Sequence, residues 1–211
     1  MANLFRKLAG LGLLAALSTA SAQDLPDMDL IRTLPINLDA ESSEFDRKQN
    51  KLFFRGLKIR QGALKIVADE ATASRLDFED ARWEFTGNVV IDNAGTTAHA
   101  DFAEIMFRDH QIRSAVMQGE PVRFEQLVID EDRVTEGKAN QMEYDAETGV
   151  IRMVDNAWLS DSANEVSGNR IAYDLNRQYI IADAEEDGQV RMKIIPPENT
   201  DLSGLEDQIQ P

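Results

Sequence analysis

A phrase of six or seven residues, followed nine positions later by an alanine–aspartate pair, occurs twice in this chain. Residues 85–91 read Phe-Thr-Gly-Asn-Val-Val-Ile and lead to Ala-Asp at 100–101. Residues 54–59 read Phe-Arg-Gly-Leu-Lys-Ile and lead to Ala-Asp at 68–69. The glycines of the two phrases are 31 positions apart. Recurrence at such a period is typical of stacked structural units that bury their apolar faces only against their neighbours.

A third, degraded copy of the phrase covers residues 153–159 (Met-Val-Asp-Asn-Ala-Trp-Leu) and leads to residues 168–174. Asp155 occupies the position of the repeated glycine. Glycine inside a strand usually marks a bulge or a close backbone approach. The sequence therefore leaves open whether this copy keeps the backbone geometry of the others.

Apolar and polar residues alternate over short segments of the chain. Phe85, Val89 and Ile91 share one phase, as do alternate residues of the next segment, 98–102 (Ala, Ala, Phe), and of a later one, 142–144 (Met, Tyr). Period two predicts half-buried antiparallel strands, and turn residues such as glycine and asparagine separate these segments. A unit of about 30 residues accommodates about three strands. The pattern predicts one all-β domain over residues 36–195, with little helix.

The two ends of the chain differ from this domain. Residues 1–22 combine a basic start, an apolar run too short to span a bilayer and a small-residue end, which predicts a secretory signal peptide cleaved after Ala22. A retained anchor is the alternative reading. Residues 23–35 are predicted to be a linker. Residues 196–211 contain three prolines, four acids and no cation, which predicts a disordered tail.

Composition narrows the possible functions. The formal net charge of −16 disfavours a general nucleic-acid binder, which needs cations to replace phosphate counterions. The chain has no cysteine, so an exported form has no disulfides, which fits a periplasm better than an extracellular disulfide scaffold. The cations are concentrated, because residues 47–65 contain seven of them and no acid.

Residues that would indicate catalysis or a cofactor are sparse. The only histidines are His99 and His110, and no Gly-x-Ser-x-Gly elbow is present. The one Gly-Lys pair, at 137–138, is followed by alanine and does not form a phosphate-binding loop. The acidic run at 130–132 lacks the spaced ligands of a calcium loop and is read as a solvated turn. We predict no enzyme, no cofactor and no metal site.

Further segments carry a resemblance to a known family. Besides the repeated phrase, these are Pro-Ile at 35–36 with residues 41–46, Gly-Glu-Pro-Val-Arg-Phe at 119–124, residues 136–144 (Glu-Gly-Lys-Ala-Asn-Gln-Met-Glu-Tyr) and Gly-Asn-Arg-Ile-Ala-Tyr at 168–173. In this order they resemble the OstA-like/LptA family of periplasmic lipopolysaccharide transport proteins, over about residues 35–195. Relative to the family pattern, the stretch around residues 83–107 is an additional repeat.

The resemblance implies a fold and a function. The family fold is an open, twisted antiparallel β-jellyroll with a hydrophobic slot. The implied function is to carry lipopolysaccharide through the periplasm from the inner to the outer membrane, with the acyl chains in the slot. The implied partners are lipopolysaccharide, an LptC-like inner-membrane protein, an LptD-like outer-membrane protein and further copies of the chain, joined head to tail. Alternatives are a membrane-tethered LptC-like relative and a structural β-repeat protein without lipid cargo.

The register of the repeats predicts which side chains face the slot. Ordinary core packing is the alternative for each of them, because groove walls and cores use the same residue types. The predicted lining residues are Leu57, Ile59, Leu64, Ile66, Phe85, Val89, Ile91, Phe102, Phe124, Met142, Tyr144, Met153, Leu159, Ile171 and Tyr173.

The uneven charge suggests how copies could join. The basic stretch from Arg47 to Lys65 comes early in the stack, whereas Asp183 and the acids at 185–187 come late. We hypothesise that these two ends attract each other. Protection of a sheet edge from aggregation and contact with lipid phosphates are the alternatives for the basic stretch.

Overall fold

The chain folds into β-strands joined by short turns. The computed structural model describes residues 34–76, 78–128, 133–161, 164–184 and 188–195. Within these ranges there are twelve strands and no helix, so the predicted all-β class is confirmed. The strands are β1 (Asn37–Asp39), β2 (Ser42–Asp46), β3 (Lys51–Gln61), β4 (Leu64–Ala73), β5 (Asp80–Asn93), β6 (Thr96–Arg108), β7 (Gln111–Val128), β8 (Arg133–Asp145), β9 (Val150–Ser160), β10 (Asn164–Asp174), β11 (Tyr179–Asp183) and β12 (Arg191–Ile194).

Several segments interpreted from sequence lie outside the described residues. They are the signal peptide at 1–22, the linker up to residue 33, the acidic turn at 130–132, the acids at 185–187 and the tail at 196–211. None of the described residues belongs to a helix that is both long and apolar enough to cross a membrane.

All twelve strands belong to one antiparallel sheet. Strands β3 to β10 pair in sequence order, so each strand forms a hairpin with the next. Strands β1 and β2 lie end to end along the free side of β3, and β11 and β12 do the same along β10. The sheet does not close on itself along this order, which confirms the expected open architecture.

A line of bulges crosses the middle of the sheet. The register shifts in each pairing from β4–β5 through β9–β10, for example between Thr86 and Val89 on β5 and between Gln118 and Val122 on β7. A bulge bends its strand and increases its twist. Bulges at matching positions on adjacent strands bend the whole sheet along one line, which we call the crease.

The repeated phrase marks the crease. On β5 the buried side chains pass from Phe85 to Val89, a step of four residues instead of two. On β6 they pass from Ala100 to Ala103, a step of three. In this copy the glycine phrase therefore supplies the longer step, and the alanine–aspartate pair supplies the shorter step on the adjacent strand. In the first copy both strands make steps of three, from Phe54 to Leu57 and from Ala68 to Ala71.

Local chemistry explains why glycine and aspartate recur at the crease. Gly87 and Asn88 have φ angles of 75° and 45°, in the left-handed region that favours glycine and tolerates asparagine. The Asn88 side chain donates a hydrogen bond of 2.7 Å to Asp69 on β4. A Cβ atom at position 87 would lie 2.6 Å from the same carboxylate oxygen. Asp101 on β6 also connects to an adjacent strand at the crease. Its carboxylate accepts a hydrogen bond of 3.2 Å from the backbone N–H of Glu120 on β7.

The structure settles the backbone geometry at Asp155 in the third copy. Asp155 and Asn156 have φ angles of 60° and 56°, in the same left-handed region as Gly87 and Asn88. Aspartate and asparagine adopt this conformation more readily than other non-glycine residues. The third copy of the phrase therefore keeps the left-handed backbone conformation without a glycine.

The crease folds the two halves of the sheet face to face. Phe124 precedes the end of β7 in one half, and Tyr173 lies near the end of β10 in the other. Their rings are 6.0 Å apart, and the Tyr173 hydroxyl donates a hydrogen bond of 3.0 Å to the Gln126 side chain. Neither contact joins neighbouring strands, so the inner faces of both halves enclose one apolar interior.

Candidate functional site

The interior contains most of the residues predicted to line a slot. Eleven of the fifteen are buried in a single apolar cluster, and three more are partly buried against it. The buried ones are Leu57, Ile59, Ile66, Phe85, Val89, Phe124, Met142, Met153, Leu159, Ile171 and Tyr173. The partly buried ones are Leu64, Ile91 and Tyr144. The structure therefore brings fourteen of the predicted residues onto one inner face.

Phe102 is the exception, and its predicted position on the inner face is wrong. Its cross-strand partners are Thr86 and Gln118, both of which are exposed. The adjacent Ala103 is buried. Directly opposed residues in antiparallel strands share a face, so Phe102 lies on the outer side of the sheet. The prediction extended period two from Ala100 to Phe102, across the bulge that shifts the phase.

An apolar cavity of about 100 Å³ remains between the two halves. One wall comes from the end of β5 and the start of β6, and the other comes from β7, β8, β9 and the turn after β10. The lining residues are Ile91, Asn93, Thr96, Ala98, Ile112, Ala115, Met117, Tyr144, Ile151 and Leu175.

Several cavity residues were missed by the sequence interpretation. Ala115 and Met117 alternate regularly in β7, whereas Val122 and Phe124 follow in the opposite phase. The interruption at 119–121 separates the two phases, and only the second was recognised. The alternation before the interruption is a usable sequence signal for the first wall.

Aromatic side chains fill the interior at the β3–β6 end. Trp83 is fully buried and stacks on Phe78, Phe85 and Phe54, with ring centroids 4.8, 5.9 and 5.6 Å away. Phe107 contacts Phe78 edge to face at 4.9 Å. Such pairs are favourable beyond the area they bury. This end of the interior is therefore the most densely aromatic.

Two tyrosine hydroxyls introduce polarity into the interior. Burial raises the pKa of Tyr144 above its ordinary value of 10.0, and the neighbouring Asp145 raises it further. Burial also raises the pKa of Tyr173, against a smaller opposing effect of its hydrogen bond with Thr135. Both groups stay neutral over a wide pH range, which suits an apolar interior.

Within the described part of the chain, neither histidine belongs to a metal-binding cluster. His99 is exposed on β6, and His110 lies in the β6–β7 turn, where its backbone N–H donates to the Phe78 carbonyl at 3.0 Å. No group of three or more histidines or acids within the described ranges has the arrangement of a metal site.

Among the described strands, the two edges of the sheet differ in character. The basic stretch is not itself an edge, because β1 and β2 cover β3, and Arg60 forms an ion pair with Asp39 at 2.5 Å. The opposite edge exposes several apolar side chains, because Met192 and Ile194 on β12 are 75% and 74% exposed and Ile181 on β11 is 57% exposed. Exposed apolar side chains at an unpaired edge are typical of a surface that pairs with another strand.

Comparison with known families places this architecture. A family model described as LptA/(LptD N-terminal domain) LPS transport protein matches residues 70–179, which is just over half of the chain. The chain belongs to this family. The match extends from β4, through the creased hairpins, to the start of β11.

Individual proteins are similar to this chain over a longer stretch than the family model covers. The lipopolysaccharide export system protein LptA of Haemophilus influenzae is 27% identical over 144 residues, covering 67% of this chain and 81% of the relative. The lipopolysaccharide export system protein LptH of Pseudomonas aeruginosa is 27% identical over 180 residues, covering 85% and 83%. LptA of Escherichia coli K12 is 24% identical over 168 residues, covering 79% and 74%.

A solved structure shows the same fold. The crystal structure of LptH, the LptA-homologous periplasmic component of the lipopolysaccharide transport device of Pseudomonas aeruginosa, superimposes with a TM-score of 0.51 at 20% identity. The superposition covers 79% of this chain and 99% of that one. At this identity the match supports the fold, and the open antiparallel sheet is common to both.

Proposed function

We propose that this chain binds lipopolysaccharide in the periplasm and forms part of the bridge that carries it from the inner to the outer membrane. Membership of the LPS transport family supports this proposal, as do the names of the lipopolysaccharide export relatives. The observation that carries it is the continuous apolar inner face, which runs from Leu57 on β3 to Ile171 on β10 across every creased hairpin.

The energetics of the cargo fit such a face. Burial of one methylene group is worth about 0.8 kcal/mol, so an acyl chain of about a dozen methylenes gains roughly 10 kcal/mol when it leaves water. An open sheet shields the chains and leaves the sugar and phosphates in solvent. Because movement from one such interior to the next changes little free energy, the direction of transport comes from an energy-coupled component elsewhere.

The interior must widen to accept an acyl chain. Its cavity of about 100 Å³ is smaller than the roughly 300 Å³ at which ligand pockets begin. Contacts between the halves hold it closed, including the Tyr173–Gln126 hydrogen bond and the Phe124–Tyr173 ring contact. Opening along the crease separates these contacts and leaves the strand ladders intact.

The free edges supply the partner surfaces of the proposed bridge. Strand addition at an open edge is a general mode of recognition. We assign one edge, β1 with β2, and the other, β11 with β12, to an LptC-like inner-membrane protein, an LptD-like outer-membrane protein and further copies of the chain. The retained-anchor alternative is tested by sequencing the N-terminus of the protein purified from the periplasm, where cleavage after Ala22 is expected.

Site-specific photo-crosslinking tests the interior as the lipid site. We replace Ile91 or Tyr144 by benzoylphenylalanine, because both side chains line the cavity and are only partly buried. Purified protein is mixed with lipopolysaccharide and irradiated. A lipid adduct is expected from both inner positions, and lipid extraction with mass spectrometry should recover lipopolysaccharide from the unmodified protein.

Phe102→benzoylphenylalanine is the matched control, because Phe102 is a half-buried aromatic residue on the outer side of the same sheet. It should give no adduct. Equal adducts from inner and outer positions would contradict an interior site. Absence of both adducts and retained lipid, in protein with an unchanged circular dichroism spectrum, would favour the structural protein without cargo, which the small cavity also fits.

A further inference from the structure

A second hollow lies on the outer side of the sheet, away from the apolar interior. Its volume is about 680 Å³, within the range of ligand-binding clefts. It crosses β6, β7 and β8 on one side of the crease. On this side lie the first residues of β6 and β8 and the last residues of β7. The lining residues are Thr97, His99, Arg123, Phe124, Glu125, Glu136, Gly137 and Lys138.

The hollow contains two cross-strand pairs, and the two members of each pair carry charges of the same sign. Arg123 on β7 is directly opposite Lys138 on β8, and Glu125 is directly opposite Glu136. Like charges at directly opposed positions of an antiparallel pair are destabilising. His99 on β6 is the other cross-strand neighbour of Arg123, so the basic row extends over three strands. The sheet thus holds a basic row and an acidic row side by side.

These charges do not neutralise one another within the protein. Among the described residues, none of Arg123, Lys138, Glu125 and Glu136 forms an ion pair. All four side chains are exposed. The two rows are two residues apart along each strand, which corresponds to about 7 Å.

An aromatic side chain holds one end of the basic row in place. The Lys138 ammonium lies 4.7 Å from the centre of the Trp158 ring on β9. The Trp158 ring N–H in turn faces the Glu165 carboxylate at 3.5 Å. A cation–π contact limits the freedom of the lysine, so the ammonium is positioned before any ligand binds.

We propose that this hollow binds a zwitterionic phosphoethanolamine group. Its phosphate lies on the basic row of Arg123 and Lys138, and its ammonium lies on the acidic row of Glu125 and Glu136. A two-carbon linker separates the two charges of the ligand, which matches two parallel rows of opposite sign. Charge-assisted hydrogen bonds from arginine to phosphate are among the stronger polar contacts. The proposal is independent of the lipid interior, because no lining residue of the cavity between the halves takes part.

A nuclear magnetic resonance titration of the full-length protein tests the proposal. The probes are free phosphoethanolamine, inorganic phosphate and ethanolamine, and the reporters are the His99 ring and the Trp158 indole. Phosphoethanolamine is expected to give saturable shifts at millimolar concentration and to bind at least about threefold more tightly than either single-charge probe, because each row adds a charged contact.

Substitutions separate the two rows. Arg123→Gln should weaken phosphoethanolamine and phosphate binding alike, by about threefold to tenfold. Glu136→Gln should weaken phosphoethanolamine binding and leave phosphate binding equal or tighter. Arg108→Gln is the matched control, because Arg108 is an exposed cation at the end of β6, outside the hollow, and it should change neither. The absence of saturable shifts, or phosphate binding as tight as phosphoethanolamine binding, would overturn the proposal.

Vesicles distinguish the source of the group. If it belongs to a membrane phospholipid, mixed phosphatidylethanolamine–phosphatidylcholine vesicles should sediment the protein, phosphatidylcholine vesicles should not, and Arg123→Gln should abolish the difference. If a soluble or sugar-linked group is the ligand, free phosphoethanolamine binds and neither vesicle sediments the protein. Failure of this site leaves the interior photo-crosslinks unaffected, so the two proposals stand or fall separately.

Discussion

The Asn88 side chain on β5 donates a hydrogen bond of 2.7 Å to the Asp69 carboxylate on β4. This contact connects adjacent strands at the point where both bend.

A mutation that removes it should lower the free energy of unfolding, because Asn88 and the left-handed backbone around it lose their partner. We expect Asp69→Ala to cost about 0.5–1.5 kcal/mol in urea denaturation. Glu44→Ala, at an exposed acid on β2, should change the value by less than about 0.5 kcal/mol. If both substitutions lower the free energy of unfolding equally, the Asn88–Asp69 hydrogen bond makes no specific contribution at the crease.

Asp155 offers the reverse experiment. Its φ of 60° is tolerated by aspartate but favoured by glycine. Asp155→Gly should therefore leave the fold intact and raise the free energy of unfolding by about 0.5 kcal/mol. Asp155→Ala should lower it by about 1 kcal/mol, because alanine adopts positive φ only with strain. Thermal and urea unfolding measure both variants, and a more stable alanine variant would show that the left-handed conformation is not maintained in solution.

The buried phenol of Tyr144 should make the free energy of unfolding decrease in alkaline solution. Its pKa is raised in the folded state by burial and by Asp145, so folding favours the neutral phenol. The stability linked to this group is fully present below pH 10 and is lost as the pH rises through the folded-state pKa. Urea denaturation from pH 8 to pH 11 should show this loss, and Tyr144→Phe should reduce it. Tyr179→Phe, at an exposed tyrosine on β11, is the control and should leave the pH dependence unchanged.

Self-association should depend on the apolar late edge. Ile194 on β12 is 74% exposed at the end of the open sheet, where a second copy would add its own edge strand. We expect Ile194→Asp to weaken self-association at least about tenfold, measured by sedimentation. Leu127→Asp is the control, because Leu127 is 48% exposed on β7 and lies away from both edges.

Salt separates the two contributions to that association. If the basic stretch and the late acids attract each other, high salt should weaken association, although by less than Ile194→Asp does, because apolar contact and strand pairing remain. Complete loss of association at high salt would contradict the apolar edge. Association that is unchanged by salt would contradict the electrostatic hypothesis.

The sequence was most informative where period two was unbroken. Alternation placed Phe85, Met142 and Ile171 on the inner face correctly because each lies within a regular run. It failed at Phe102, where a three-residue step between buried positions reverses the phase. Bulges are set by pairing with adjacent strands as well as by local sequence, so their phase could not be assigned from one strand alone.

The contact between the two halves of the sheet could not be predicted from the sequence either. Gln126 and Tyr173 are 47 residues apart and meet only after the sheet has bent. The same holds for the outer hollow, whose opposed pairs depend on the register between β7 and β8. The repeated phrase indicated that units stack, but only the register showed that it marks where each strand bends.

The crease also separates two properties of the molecule that a closed barrel would couple. In a barrel, the diameter grows with the number of strands. Here the gap between the halves depends on the bend within each strand, whereas the number of hairpins sets how far the interior extends. One 31-residue unit is two strands, not the three expected from its length, because Gly56 lies on β3 and Gly87 on β5. A chain that gains or loses one such hairpin therefore changes the length of the interior and keeps its width, so length and width can evolve independently.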